Sequence, residues 1–142
     1  MAEKTKNSMA MHDLEEIKKR VFSSAQVKDE DLQELLRYKE EGKFDFKLID
    51  IREIYEYSDR SIDKTDLLYP TTLLHRHIED LEKIKDEHII LYCRTGNRTE
   101  QVLMILKRMG FDKIAHLSEG IIAYSGKTGK NTKLPKNIEE KR

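Results

Sequence analysis

The sequence predicts an α/β fold with a central, mainly parallel sheet flanked by helices. Three observations carry this. Ile89 to Tyr92 form a continuous apolar run, with charge on one side and loop residues on the other, as expected of a strand buried on both faces of its sheet. A helical pattern near Leu73 to Lys85, with Leu74, Ile78, Leu81 and Ile84 apolar, feeds directly into that run and fits a crossover between parallel strands. Beyond it, from Thr99 onward, Val102, Ile105, Leu106 and Met109 recur at helical spacing; Lys107 and Arg108 lie in the last turn, and Gly110 supplies the stop.

The remaining elements follow in chain order. Residues 1 to 10 are polar and are expected to fray. Leu14, Ile17 and Val21 then mark one apolar stripe of a short charged helix, so residues 1–27 read as an N-terminal helical extension. A second helix, roughly Asp29 to Glu41, presents Leu32, Leu35 and Leu36 and ends at Gly42 ahead of a strand from Lys47 to Ile51. Ile114 to Leu117 form another short strand. Residues 127–142, rich in Lys, Asn and Gly, are expected to be a mobile basic tail. No repeat, low-complexity block or Pro-rich linker divides the chain, so the extension and tail flank one domain. The first helix would cover an apolar patch either on its own domain or on a second copy in a homodimer.

The length, 142 residues, is sufficient for a single core. Lysine plus arginine and aspartate plus glutamate each number 27, and this zero formal charge gives no support for nucleic-acid or membrane binding. No apolar stretch approaches the roughly 20 residues of a transmembrane helix, and the polar amino terminus lacks the apolar segment of a secretory signal. A cytoplasmic protein is therefore expected. The single cysteine, Cys93, leaves no partner in this sequence for a disulfide, a dithiol mechanism or a thiolate zinc site. His75 and His77 flank Arg76 without a complete metal-ligand set, and no metal is expected. His88 and His116 border predicted strands and read as surface or packing residues.

Cys93 is the candidate functional residue. It stands at the carboxyl end of the buried strand and just before a helix, where open α/β sheets present unpaired N–H groups and a positive dipole end to ligands. That position, with Arg94 and Arg98 nearby, favours the nucleophilic thiolate. Gly96 allows a positive φ, so successive N–H groups of the loop can converge on an anion or an anionic sulfur. A purely structural thiol fits less well, because two arginines buried beside it would be costly without anions to pair with them.

The order of an apolar strand, Cys-Arg-x-Gly-x-Arg and a Thr-led helix resembles the active-site loop of rhodanese-like sulfurtransferases, and Cys93 to Thr99 fits every position. Lys47-Leu48-Ile49-Asp50-Ile51-Arg52-Glu53 with Tyr57 is similar to the family's strand ending in Asp-x-Arg-Glu. Gly110-Phe111 and Leu117-Ser118-Glu119-Gly120-Ile121 are similar to its closing strand and turn. The resemblance spans residues 28–126 and implies a rhodanese-like domain there. It implies that Cys93 takes sulfane sulfur from thiosulfate, a polysulfide or a persulfide and passes it, as a persulfide, to cyanide, a thiol or a protein acceptor, with no cofactor. Arg94, Thr95, Gly96, Asn97 and Arg98 would bind the small anionic donor, and Asp50 and Arg52 would brace the loop. A persulfide carrier or sensor acting with a partner protein is an alternative. A phosphatase or arsenate reductase is disfavoured, because such relatives place one more residue between cysteine and arginine, where this chain has Thr99. Two departures bear on the substrate: Arg60-Ser61-Ile62-Asp63-Lys64 replaces a Gly-His-Ile segment at the rim of the site, and Tyr124 replaces a frequent tryptophan.

Overall fold

The computed structural model describes the backbone of residues 2–131 and 133–140 and the side chains of 13–131 and 133–138. Its centre is a five-stranded, wholly parallel sheet in the order β1-β6-β5-β2-β4, formed by β1 (Gln26–Val27), β2 (Lys47–Asp50), β4 (Leu67–Leu68), β5 (Ile89–Tyr92) and β6 (Ile114–Leu117). The middle strands carry the sequence's continuous apolar runs, and every residue of β5 and β6 is buried. Helices cover both faces, which is why no alternation of polar residues survives in these strands.

One face is packed by α1 (Ala2–Ser24) and α2 (Asp29–Glu40), whose Leu14, Ile17, Val21, Leu32, Leu35 and Leu36 meet Leu48, Ile90, Tyr92, Ala115 and Leu117. The apolar stripe of the first helix thus covers its own domain. This helix begins at Ala2 rather than after a frayed segment, in a stretch free of Gly and Pro. The other face is packed by α4 (Leu74–Glu82) and α5 (Asn97–Arg108) through Leu81, Val102, Leu103 and Leu106, set against Ile49, Ile89, Leu91, Cys93 and Ile114. A 3₁₀ turn, Thr71–Leu73, supplies the start expected for α4.

The register aligns the strand ends. Asp50 stands beside Tyr92, and Leu91 beside His116, so the loops that follow β2, β5 and β6 emerge together.

The segment with unfamiliar residues, 60–70, is structured. Its first residues form β3 (Ser61–Ile62), which pairs antiparallel with β7 (Thr128–Gly129), and Leu67–Leu68 become the sheet edge. The Ile62 N–H donates to the Tyr92 hydroxyl (3.2 Å), tying the segment to β5. The expected mobile tail needs correction over the described residues. Beyond β7, α6 (Lys136–Glu140) places Ile138, 4% exposed, against Leu68 and Tyr57, and the Asn137 amide donates to the Leu68 carbonyl (2.7 Å). Edge-strand cover is the physical reason, since it satisfies β4 backbone groups that would otherwise face solvent. Lys141 and Arg142 lie outside the described residues.

Candidate active site

Cys93 follows β5 directly, and its side chain is 1% exposed. The Gly96 N–H donates to Sγ (3.1 Å), and the N–H groups of Thr99 and Arg98, in the first turn of α5, also point at the sulfur. Burial by itself raises the thiol's pKa. The Thr99 hydroxyl and the N–H groups of Thr99, Gly96 and Arg98 outweigh that, so the thiol lies below its ordinary value. This cradle consists of backbone dipoles and one hydroxyl.

Two glycines make the geometry possible. Gly96 has φ +98° and lies so close to the Ser118 carbonyl that a Cβ would collide with it. Gly120, at φ +72°, approaches the Arg94 carbonyl and Thr95 nitrogen in the same way. Each loop therefore fills the space where the other would carry a side chain. The Ile121 N–H then donates to the Cys93 carbonyl (2.9 Å) and the Ile122 N–H to that of Arg94 (3.1 Å), clamping the cysteine loop to the turn after β6.

The arginines divide into two kinds. Arg98 faces Glu56, with its two terminal nitrogens donating to the two carboxylate oxygens at 3.0 Å each. Glu56 is fixed at the start of α3 (Ile54–Asp59) by a reciprocal capping box with Glu53. The Arg98 hydrogen bonds, opposed by partial burial, pull the Glu56 carboxyl below its usual range. Arg52 is held by fully buried Asp50, with Nε to Oδ1 at 3.0 Å and a terminal nitrogen to Oδ2 at 2.9 Å, and it also donates to the Arg60 carbonyl (2.6 Å). Arg94 is exposed and has no ion pair among the described residues. Thr95 and Asn97 are exposed, and Asn97 begins α5. The sequence leads one to expect Arg98 both to attract the donor and to hold the loop; in the structure its guanidinium is paired with Glu56. Beside the loop lies a cleft of about 580 Å³ lined by Arg52, Tyr55, Glu56, Arg60, Arg94 and Ile122 among others.

The sequence matches the rhodanese-like domain over residues 31–127. The chain belongs to that family. This rhodanese-like protein is 37% identical over 79 residues to the probable adenylyltransferase/sulfurtransferase MoeZ of Mycobacterium tuberculosis, a match covering 55% of this chain and 20% of that protein. It is 33% identical over 86 residues to the tRNA uridine(34) hydroxylase of Escherichia fergusonii, covering 58% and 25%. The matched region is thus a fifth to a quarter of the length of these relatives. Among solved structures, a rhodanese-related protein from Thermoplasma volcanium superposes with a TM-score of 0.62 at 21% identity, covering 75% of this chain and 98% of that one. The BH2092 protein from Bacillus halodurans, at 0.60 and 16%, covers 96% and 98% and so shares the fold through most of the extension and tail. Among the described residues no helix is long and apolar enough to cross a membrane.

Sequence reasoning on this rhodanese-like chain missed three residues at the site. Glu56 was readable as a helix-capping partner of Glu53, but not as the partner of an arginine 42 residues away. Thr99 was seen to lead the helix, yet its contact with Sγ (3.6 Å) depends on the turn at Gly96. His116 read as a packing residue, and the structure puts its ring against Thr99. Of the other histidines, His88 packs between Phe22 and Phe44, His77 is buried beside Tyr69, and His75 is exposed.

Proposed function

We propose that this domain is a sulfurtransferase that carries sulfane sulfur on Cys93. The observation that carries the reading is the convergence of N–H groups from Gly96, Arg98 and Thr99 on a sulfur at the carboxyl end of the central strand. Such a cradle favours the thiolate first and then the anionic outer sulfur of a persulfide, with dipoles fixed before the charge arrives. The name of the M. tuberculosis relative, an adenylyltransferase/sulfurtransferase, agrees with this chemistry.

In the first half-reaction the Cys93 thiolate attacks the outer sulfur of thiosulfate. A sulfur–sulfur bond to Sγ forms, the bond within thiosulfate breaks, and its electron pair leaves on sulfite. In the second, cyanide or a thiolate attacks the terminal sulfur of the persulfide; the Sγ–sulfur bond breaks and its electrons return to Cys93 as thiolate. A polysulfide or an organic persulfide serves as donor in the same way, with a shorter polysulfide or a thiolate leaving. Arg94, open at the mouth of the cleft, attracts the anionic donor. The Arg98–Glu56 and Arg52–Asp50 pairs hold the walls. Phosphoryl chemistry needs a guanidinium on the transferred group, and this chain has Thr99 where relatives with that chemistry place their arginine, while the neighbouring Arg98 is committed to Glu56.

Steady-state thiocyanate formation from thiosulfate or polysulfide with cyanide tests the proposal. Parallel double-reciprocal plots, and no turnover in Cys93→Ser, are expected. Turnover retained in that variant, or phosphate release from an aryl ester in place of sulfur transfer, would overturn it.

A further inference from the structure

Behind Cys93 a line of buried polar groups runs into the apolar layer beneath α5. His116, on β6 and 4% exposed, sits on the same face of the sheet as Leu91, Cys93 and Ile114. Its Nδ1 lies 2.7 Å from the hydroxyl of Thr99, which is fully buried. That hydroxyl lies 3.0 Å from the Gly96 carbonyl oxygen and 3.6 Å from Sγ of Cys93. It has one proton and three neighbours that could accept it. What His116 does at Nδ1 decides where that proton goes.

With hydrogen on Nε2 alone, Nδ1 accepts the Thr99 proton, and Sγ loses that side-chain donor from the cradle. With hydrogen on Nδ1, the ring donates to the threonine oxygen and the Thr99 proton is released toward the other two neighbours. The Gly96 carbonyl already accepts from the Glu100 N–H (3.0 Å), whereas a thiolate is the stronger, charged acceptor. We infer that His116, protonated at Nδ1, is a positioning residue that turns the Thr99 hydroxyl proton onto the Cys93 sulfur.

No net proton transfer is involved. The chain Nδ1–H to Oγ–H to Sγ⁻ orients one dipole at the sulfur, and donors aligned in series strengthen one another. The charged and titratable groups around the ring are Cys93 behind Thr99 and Glu100 on α5. On the neighbouring strands His116 stands in register with Gln26 and Leu91, which carry no charge. Burial lowers the imidazole's pKa against the opposing pull of Glu100; the arrangement needs hydrogen on Nδ1 and no net charge on the ring.

The inference rests on Cys93 being the nucleophile, but it can be tested without any sulfur donor. The rate of Cys93 alkylation by iodoacetamide against pH reads the thiolate directly. His116→Leu, which leaves the Thr99 hydroxyl without the donor that orients it, is expected to move the midpoint up by about half a pH unit, an about threefold slower reaction below the midpoint. His116→Asn, which keeps an N–H donor near the position of Nδ1, should restore most of that shift. Thr99→Val, which removes the donor itself, should shift the midpoint further than His116→Leu, and the double variant no further than Thr99→Val, because the histidine acts through the threonine. An unchanged midpoint in folded His116→Leu, or additive shifts in the double variant, would overturn the inference. In the unmodified protein, the imidazole 15N shifts should report hydrogen on Nδ1, and a bare Nδ1 would overturn it as well. A normal alkylation series with no thiocyanate formation would leave this inference standing and remove the sulfur-transfer reading.

Discussion

The loop after β5 and the loop after β2 leave neighbouring parallel strands side by side, yet they settle buried charge in opposite ways. At the end of β2, the Asp50 carboxylate meets the Arg52 guanidinium in a two-pronged ion pair, fully buried on the carboxylate side. After β5, Cys93 receives dipoles from backbone and a hydroxyl, and the adjacent Arg98 is itself committed to Glu56. The difference assigns the groups. Guanidinium–carboxylate pairs fix the walls, where strength and a single geometry are useful. On the proposed mechanism the Cys93 sulfur is served by weaker, preorganised donors that can follow the negative charge from the thiolate to the outer sulfur without a bound counter-ion to dislodge. On the same proposal Arg94, exposed and unpaired by any carboxylate among the described residues, is left to meet an incoming anion.

Breaking the dipole cradle should have the largest effect. Gly96→Ala forces a Cβ into the Ser118 carbonyl at a positive φ, and about 2–4 kcal/mol of stability should be lost in urea denaturation. The thiol pKa should rise at the same time, because the Gly96 N–H moves off the sulfur. Breaking a wall pair should cost less. Arg98→Ala or Glu56→Ala should each lose about 1–2 kcal/mol, and the double variant less than their sum. The sign of the pH effect follows from the lowered Glu56 carboxyl. The pair stabilises the fold above the ordinary carboxylate range and is lost as pH falls through the lowered value, so the acid limb of the stability curve should flatten in Arg98→Ala. Arg94→Ala should be the mildest for the fold, within about 0.5 kcal/mol. It should nevertheless raise KM for thiosulfate about five- to tenfold at low salt, with the gap closing as ionic strength rises.

The same contrast explains what could be read in advance. The Cys93 loop is contiguous, and its chemistry follows from a strand end, a glycine and a helix start; its position needed no tertiary information. Ile89–Tyr92 and Ile114–Leu117 were legible because strands covered on both faces become unbroken apolar runs. The two-residue strands β1, β3, β4 and β7 carry no period to detect. The tail's anchor rests chiefly on Ile138, too little apolar signal among lysines and asparagines to reveal a docked helix. Glu56 and His116 were hidden for a different reason: their partners lie 42 and 17 residues away and are set by strand register and helix packing.

The most direct measurement is the intact mass of the protein after incubation with thiosulfate or polysulfide, then after addition of cyanide or a thiol. A gain of one sulfur that the acceptor removes, absent in Cys93→Ser, is the predicted result. A gain that the acceptor leaves in place would make Cys93 a carrier awaiting a partner, and no gain from either donor would contradict the persulfide account.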